Sequence, residues 1–225
     1  MLTTYCKTMD DSGRHPQQRV GIFVDVQNMY YSARAVHGKK VNFKKIIDEA
    51  VAGRQLVRAF AYGITTEEEH EQDFHDALSK QGFEVKSKPL QTFHGGQKKG
   101  DWDVGIAMDV LRMEPKIDVA VLVSGDGDFV PLIEFGRDKG LRMEVMSFRE
   151  STSSALVEVA DQFTNLSDKP RTFLIADKKW AGAKRKLTRS RGASGSNGAT
   201  GRAPRSPDST ASKRGAGPRT PKIIS

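Results

Sequence analysis

The chain has 225 residues, of which 37% are apolar and 28% are charged. This length suits one hydrophobic core of ~150 residues with some chain left over, and it is too short for two sizeable domains. The absence of any run of about 18 apolar residues excludes a membrane span. Residues 1–18 lack the apolar core of a secretory signal. The single cysteine, Cys6, excludes a disulfide framework and a cysteine-rich zinc site, so we expect a cytoplasmic protein.

Charge is distributed unevenly along the chain. Residues 169–225 hold 15 Lys and Arg but two acidic residues, a net charge of +13, and the remaining 168 residues carry a net charge of −5. From residue 184 onward the chain is mostly Gly, Ser, Pro, Ala, Thr and Arg, so we predict that residues 184–225 are a disordered basic tail. Residues 1–18 are polar and patternless and are also expected to be disordered. The apolar residues within 168–183 allow a short ordered extension there.

Residues 19–167 alternate between short apolar runs and longer amphipathic segments. In chain order we predict a strand at 20–24, a helix to about residue 36, a helix at 43–51, a strand at 56–64, a helix that opens with a Thr66–Glu69 capping box and ends near 81–82, and a strand at 83–85. A polar loop at 94–100 then leads to a helix at 101–113, a strand at 117–123, a helix at 129–139, a strand at 141–148 and a helix at 153–161. This alternation indicates an α/β fold, with a doubly wound parallel sheet and helices on both faces.

Acidic side chains follow the two most apolar predicted strands. The first strand ends at Asp25, and the strand at 117–123 is followed by Asp126 and Asp128. Ligands of an open parallel sheet bind beyond the carboxyl ends of its strands, so neighbouring strands would bring these three acids together. One such aspartate alone would more often be a helix cap. Three at one edge favour a binding site.

The helix predicted at 101–113 supplies a fourth acid. Its inward-facing stripe is predicted to comprise Ile106, Ala107, Val110 and Met113. Asp103 extends this stripe to the helix N-terminus, where the helix dipole favours a carboxylate. Asp101 and Asp109 are predicted to fall on other faces of the helix. Lys98 and Lys99, in the loop before the helix, would either position a phosphate or be solvated.

Four ionised carboxylates do not crowd together without a cation. Oxygen ligands with no His or Cys among them suit Mg²⁺ or Mn²⁺, which can activate water against a phosphodiester. Two other interpretations fail. Val130 occupies the third ligand position of a calcium loop that would start at Asp126. His70 and His75 lack zincin spacing, and we predict that both lie on a solvated helix face.

Four segments resemble the NYN domain of the PIN-like nuclease superfamily, in its LabA-like bacterial branch. These segments are Val24-Asp25-Val26-Gln27-Asn28, Lys99 to Asp109, Ser124-Gly125-Asp126-Gly127-Asp128-Phe129, and Leu156 to Phe163. The resemblance covers about residues 19–166. It implies a sheet of five or six strands and a divalent-metal ribonuclease site.

Matched motif by motif, the resemblance implies roles for individual residues. The metal-binding and catalytic acids would be Asp25, Asp103, Asp126 and Asp128. Asn28 would be a polar residue on the first helix facing the site and its substrate, and Ser124 would be a ligand or a phosphate contact. Asp101 and Asp109 are further acids of the same helix, and the pattern leaves their roles open.

The sequence thus predicts an endoribonuclease that uses Mg²⁺ or Mn²⁺ to cut RNA, with single-stranded RNA as the expected partner. The tail would add non-specific phosphate contacts, and the alternative roles of such a basic run are solubility or a nuclear-type address. The alternative is a nucleic-acid-binding or regulatory adaptor with the same fold and little or no turnover. A phosphatase with a covalent aspartate would need a second acid after Asp25, and Val26-Gln27 does not supply one. A homodimer is compatible with the sequence.

Overall fold

The computed structural model describes residues 13–65, 70–89, 91–92, 98–99 and 101–176. In chain order its elements are β1 (Arg19–Asp25), α1 (Val26–His37), β2 (Lys40–Val41), α2 (Phe43–Val51), β3 (Gln55–Thr65), α3 (His70–Lys80), β4 (Glu84–Pro89), β5 (Gln91–Thr92), β6 (Lys98–Lys99), α4 (Asp103–Met113), β7 (Val119–Val123), α5 (Val130–Asp138), β8 (Arg142–Ser147), α6 (Ser154–Val159), β9 (Gln162–Asn165), α7 (Pro170–Phe173) and β10 (Leu174–Ile175). None of the helices in these described parts is long and apolar enough to cross a membrane.

A six-stranded sheet lies at the centre, in the order β4-β3-β1-β7-β8-β9. Each neighbouring pair in it is parallel. The first strand therefore lies between β3 and β7, and Val24 is level with Ala61 on one side and Val123 on the other. This register brings the carboxyl ends of β1 and β7 to the same edge. It confirms the predicted α/β class and its parallel sheet.

Apolar side chains pack on both faces of the sheet, as expected for strands that are almost wholly apolar. One core joins alternate strand residues to α1, α2 and α3 through Met29, Ile46 and Leu78. The other joins the opposite strand residues to α4 and α5 through Ile106 and Ile133. The result is a sheet between two helical layers, with its carboxyl edge left for loops and helix starts.

Most departures from the predicted elements are small. The fourth helix begins at Asp103 instead of Asp101, and a 3-10 turn at Glu114–Lys116 holds Pro115. The sequence did not predict the four two-residue strands or β9. Within the predicted loop at 94–100, β6 pairs with β5 in antiparallel fashion. Elements this short leave no readable periodicity.

Residues 174–175 form β10, which pairs antiparallel with β2 across the Leu174–Val41 and Ile175–Lys40 positions. They belong to the segment 168–183, in which the sequence allowed an ordered extension. Cys6, the Thr66–Glu69 capping box and the tail at 184–225 lie outside the described residues.

The prediction of a solvated His75 is wrong. His75 is 8% exposed and packs on β3, where a Cβ added to Gly63 would lie 3.1 Å from its Nε2 atom. His75 faces the sheet, and Gly63 of β3 leaves room for the imidazole ring because it has no side chain. The side chain of His70 lies outside the described part of the chain.

Candidate metal centre

Asp25 lies at the junction of β1 and α1. Its carboxylate caps the helix by accepting a hydrogen bond from the Asn28 N–H at 3.0 Å. Burial raises the pKa of Asp25 to about 6, and the negative charges of Asp103 and Asp126 contribute to the increase. Asp25 is therefore both a helix cap and a member of a group of mutually repelling acids.

The loop after β7 is held by hydrogen bonds from its own residues. Ser124 is fully buried, and its hydroxyl accepts a hydrogen bond from the Asp126 N–H at 3.2 Å. The Asp126 carboxylate in turn accepts one from the Asp128 N–H at 3.0 Å and caps a 3-10 turn at Gly127–Phe129. These contacts fix where the two carboxylates project.

Asn28 joins this loop to α1. Its side-chain oxygen accepts a hydrogen bond from the Gly125 N–H at 3.0 Å. Since Asn28 also donates its own backbone N–H to Asp25, it links both acid-bearing segments directly. In the structure Asn28 therefore orients the site, and its predicted contact with substrate stays a prediction, as does that of Ser124.

The two glycines of this loop are required by close approach of other chain segments. A Cβ on Gly125 would lie 2.7 Å from the Ser151 carbonyl oxygen and 2.9 Å from the Ser147 hydroxyl oxygen. A Cβ on Gly127 would lie 2.9 Å from the Ser153 hydroxyl oxygen. Real Cβ atoms do not come this close to other heavy atoms, so only glycine fits without a shift of the loop.

Asp103 is placed by the residue before it. The Trp102 indole N–H donates to the Gly63 carbonyl at the end of β3, at 2.6 Å, and the indole ring lies 5.4 Å from the ring of Tyr62. Gly105 leaves space for the indole, because a Cβ there would lie 2.5 Å from it. Trp102 thus ties the first turn of α4 to the sheet edge. The sequence prediction did not include Trp102, whose signal was a lone tryptophan between two aspartates.

Three acids come together at this edge. Carboxylate oxygens of Asp103, Asp126 and Asp128 all lie within 4.8 Å of one another. Burial raises the pKa of Asp103, and the charges of Asp101, Asp126 and Asp128 add to that increase. This cluster could bind a divalent metal ion, and a donor set made only of oxygen suits a hard cation.

Asp25 stands beside the cluster. It couples electrostatically to Asp103 and Asp126, although it is outside the three acids whose oxygens meet within that limit. The structure thus brings all four predicted acids to the carboxyl ends of β1 and β7.

Asp109 lies elsewhere, and the prediction that it faces away from the interior is wrong. It is 5% exposed and accepts hydrogen bonds from the Tyr62 hydroxyl at 2.8 Å and Lys86 at 2.6 Å, with Arg112 at 3.2 Å. Burial alone would raise the pKa of Asp109, but the hydrogen bonds from Lys86 and Tyr62 hold it below its usual value. Because α4 also packs beside β3 and β4, this face is covered and Asp109 serves a separate buried polar cluster.

The remaining predicted residues lie around the cluster. Asp101 is exposed, and its carbonyl oxygen accepts a hydrogen bond from Lys88, whose ammonium also lies 4.8 Å from the Trp102 ring. The backbones of Lys98 and Lys99 form β6. Their predicted contact with a phosphate stays a prediction, since their side chains are outside the described part of the structure.

Comparisons with known proteins agree with this architecture. A family model for the NYN domain matches residues 19–167. The chain is 30% identical over 159 residues to the Low amplitude and bright protein LabA of Synechococcus elongatus, an alignment covering 67% of this chain and 84% of that protein. It is 25% identical over 169 residues to the uncharacterized protein MJ0482 of Methanocaldococcus jannaschii, covering 73% of this chain and 60% of that longer relative.

A solved structure is also similar. The crystal structure of a protein of unknown function, VPA0982 from Vibrio parahaemolyticus, superposes with a TM-score of 0.66 at 34% sequence identity. The match covers 72% of this chain and 99% of that one. The family model, at residues 19–167, spans all four acids.

Proposed function

The chain belongs to the NYN domain family, and from this membership we propose that it is a divalent-metal-dependent ribonuclease that hydrolyses RNA phosphodiesters. The observation that carries the proposal is the convergence of Asp103, Asp126 and Asp128, whose carboxylate oxygens lie within 4.8 Å of one another. Such a cluster is costly unless a cation offsets its charge. The cluster sits at the sheet edge where ligands of this fold class bind.

Asp103, Asp126 and Asp128 would hold Mg²⁺ or Mn²⁺, and Asp25 would supply a fourth carboxylate next to them. A bound ion of this kind acidifies water and neutralises charge that develops on a phosphoryl group. In the hydrolysis, a water oxygen bonds to phosphorus, the ester P–O bond breaks, and the departing oxygen takes a proton. Burial raises the pKa of Asp25 to about 6, so its carboxyl is mostly ionised at neutral pH and can accept a proton there.

Two residues of this chain keep the acids in place during that reaction. Asn28 holds the loop that bears Asp126 through its bond to the Gly125 N–H. Trp102 holds the first turn of α4, which bears Asp103, through its bond to the Gly63 carbonyl. Preorganised ligands of this kind bind a cation without further ordering of the chain.

Purified protein incubated with end-labelled single-stranded RNA tests the proposal, with Mg²⁺ or Mn²⁺ compared against EDTA. We expect cleavage that needs the metal and that Asp126→Asn abolishes. Asp101→Asn is the matched control, because it removes an exposed acid two residues from Asp103, and it should retain most of the rate. If Asp126→Asn cuts RNA at the parent rate, these acids are not catalytic. Metal binding with no cleavage of any RNA tested would support the adaptor alternative instead.

A further inference from the structure

The solvent-facing side of α1, the helix that begins directly after Asp25, carries an exposed aromatic pair. Gln27, Tyr31 and Arg34 are spaced four and three residues apart and therefore share one helix face. Tyr31 is 64% exposed and the adjacent Tyr30 is 38% exposed. Side chains this open to water contribute little to folding, so the ring of Tyr31 is accessible to a ligand.

The tyrosines are held in a defined arrangement. The rings of Tyr30 and Tyr31 lie 5.4 Å apart in an edge-to-face orientation with an interplanar angle of 78°. Arg34 donates a hydrogen bond to the Tyr30 hydroxyl, and its guanidinium lies 5.6 Å from the Tyr30 ring centroid. Tyr31 thus rests against a neighbour that is itself fixed, so a planar ligand would meet a largely pre-ordered ring.

The same part of the chain is positively charged. Residues 26–47 contain five Lys and Arg and no acidic residue, whereas residues 1–168 as a whole carry a net charge of −5. Lys39 and Lys40, which follow the end of α1 after Gly38, are exposed. Lys44 and Lys45, in α2, share the single acid Asp48. A polyanion that approaches the otherwise acidic residues 1–168 would find a favourable electrostatic potential at residues 26–47.

This face leads directly to the acids. The helix begins at the residue after Asp25, and Asn28 contacts the loop that bears Asp126. Tyr31 is three residues beyond Asn28, a spacing that places Cβ atoms about 5–6 Å apart on a helix. Tyr31 is therefore about one helical turn from Asn28, whose side chain contacts the loop that bears Asp126.

We propose that the solvent-facing side of α1, together with the two lysines that follow the helix, is the RNA-binding track of this site. Tyr31 stacks on a base, and Arg34, Lys39 and Lys40 contact the phosphates of a single strand. The proposal rests on the proposed ribonuclease function, since it places the strand relative to the acids. Stacking on an aromatic ring with phosphate contacts alongside binds single strands with little base preference. Tyr31 would be a binding residue and not part of the catalytic machinery.

Binding of a fluorescein-labelled single-stranded RNA, followed by anisotropy, tests the proposal. The full chain carrying Asp126→Asn is used in EDTA, so that neither metal nor cleavage enters, at a salt concentration that screens most non-specific phosphate contacts. Tyr31→Ala should weaken binding at least about five-fold, the low end for removal of a base–aromatic stack. Tyr31→Phe should bind within about two-fold of the parent, because the ring face is kept.

Two controls separate stacking from charge and from general exposure. Phe135→Ala removes a 40% exposed ring on α5 and should leave RNA binding unchanged. Inorganic polyphosphate, which has phosphates but no bases, should bind the parent and Tyr31→Ala equally. Arg34→Gln should weaken the binding of both RNA and polyphosphate.

The proposal is overturned if Tyr31→Ala binds RNA as tightly as the parent, or if its affinity for polyphosphate falls as much as its affinity for RNA. The first result would mean that Tyr31 does not contact RNA, and the second that it affects phosphate contacts and does not stack on a base. Because the assay needs no cleavage, it still decides the proposal if the chain proves not to be a ribonuclease. If the chain cuts RNA and Tyr31→Ala binds RNA normally, the binding track alone is wrong.

Discussion

Replacing Asp25 by Asn should stabilise the metal-free protein at neutral pH. In the folded chain burial raises the pKa of Asp25 from 3.8 to about 6, with Asp103 and Asp126 adding to the increase. A carboxyl whose folded pKa lies above its unfolded value holds its proton more tightly in the folded state. The stability of the parent therefore falls as the pH rises from about 4 to about 6, and the decrease is complete above the folded pKa.

The size of the effect follows from the shift. About two pKa units correspond to about 3 kcal/mol of unfolding free energy at pH 7.5, since each unit is worth about 1.4 kcal/mol. Asn is as good a helix cap as Asp, so the hydrogen bond to the Asn28 N–H survives. Removal of the negative charge at the start of α1 costs about 0.3–1 kcal/mol. The net expected gain is about 2 kcal/mol.

Urea unfolding of the parent and Asp25→Asn in EDTA, at pH 4 and pH 7.5, measures this. The gain should appear at pH 7.5 and vanish at pH 4, where the parent carboxyl is already protonated. Asp48→Asn is the control with the opposite sign, because the hydrogen bond from Lys45 holds the pKa of Asp48 below its usual value. A variant that is no more stable than the parent at pH 7.5, or that gains equally at both pH values, would refute the reasoning.

Three further outcomes are expected. Val110→Asp should lower the unfolding free energy by several kcal/mol in a thermal or urea melt, since Val110 is 1% exposed and the new charge would have no partner; an equally stable variant would mean that α4 is rotated from the orientation described. Gly125→Ala should reduce metal-dependent RNA cleavage at least about ten-fold while costing only about 1–3 kcal/mol of stability, because its Cβ would push the loop away from the Ser151 carbonyl; a full cleavage rate would show that the loop position is not critical. A chain ending at Ala183 should bind single-stranded RNA more weakly, and the slope of its log affinity against log salt concentration should be shallower by about 0.7 for each phosphate that the tail neutralises. It should keep most of its cleavage rate at saturating RNA and metal. Unchanged affinity and salt slope would mean that the basic tail takes no part in RNA binding.

The acids at the ends of β1 and β7 could be predicted because both strands are continuous apolar runs. Such runs indicate buried parallel strands, and parallel neighbours bring their carboxyl ends to one edge. Asp103 could be predicted from helical phase, since Ile106, Val110 and Met113 are buried as expected. In each case a local pattern determines the direction of the side chain.

The features that were not predicted depend on contacts between distant segments. Helical phase predicts that Asp109 lies outside the one stripe of α4 that faces the sheet, but Lys86 from β4 covers a second side of that helix. Trp102 acts through the Gly63 carbonyl, which lies 39 residues earlier in the chain. Neither contact produces a periodic pattern in the sequence around Asp109 or Trp102.

The pairing of β1 with β7 has a consequence for when the acids can meet. Asp25 and Asp126 are about a hundred residues apart in sequence, yet they share an edge because Val24 lies beside Val123. The chain between β1 and β7 must close into a loop of about a hundred residues before the two strands can make stabilising contacts. This pairing therefore belongs to the slower, non-local part of folding. Gly125 in turn packs on Ser147 and Ser151, which come later still. During synthesis Asp25 is therefore made well before the segments that hold the centre together, and the centre is complete only after residues 147–151 have emerged.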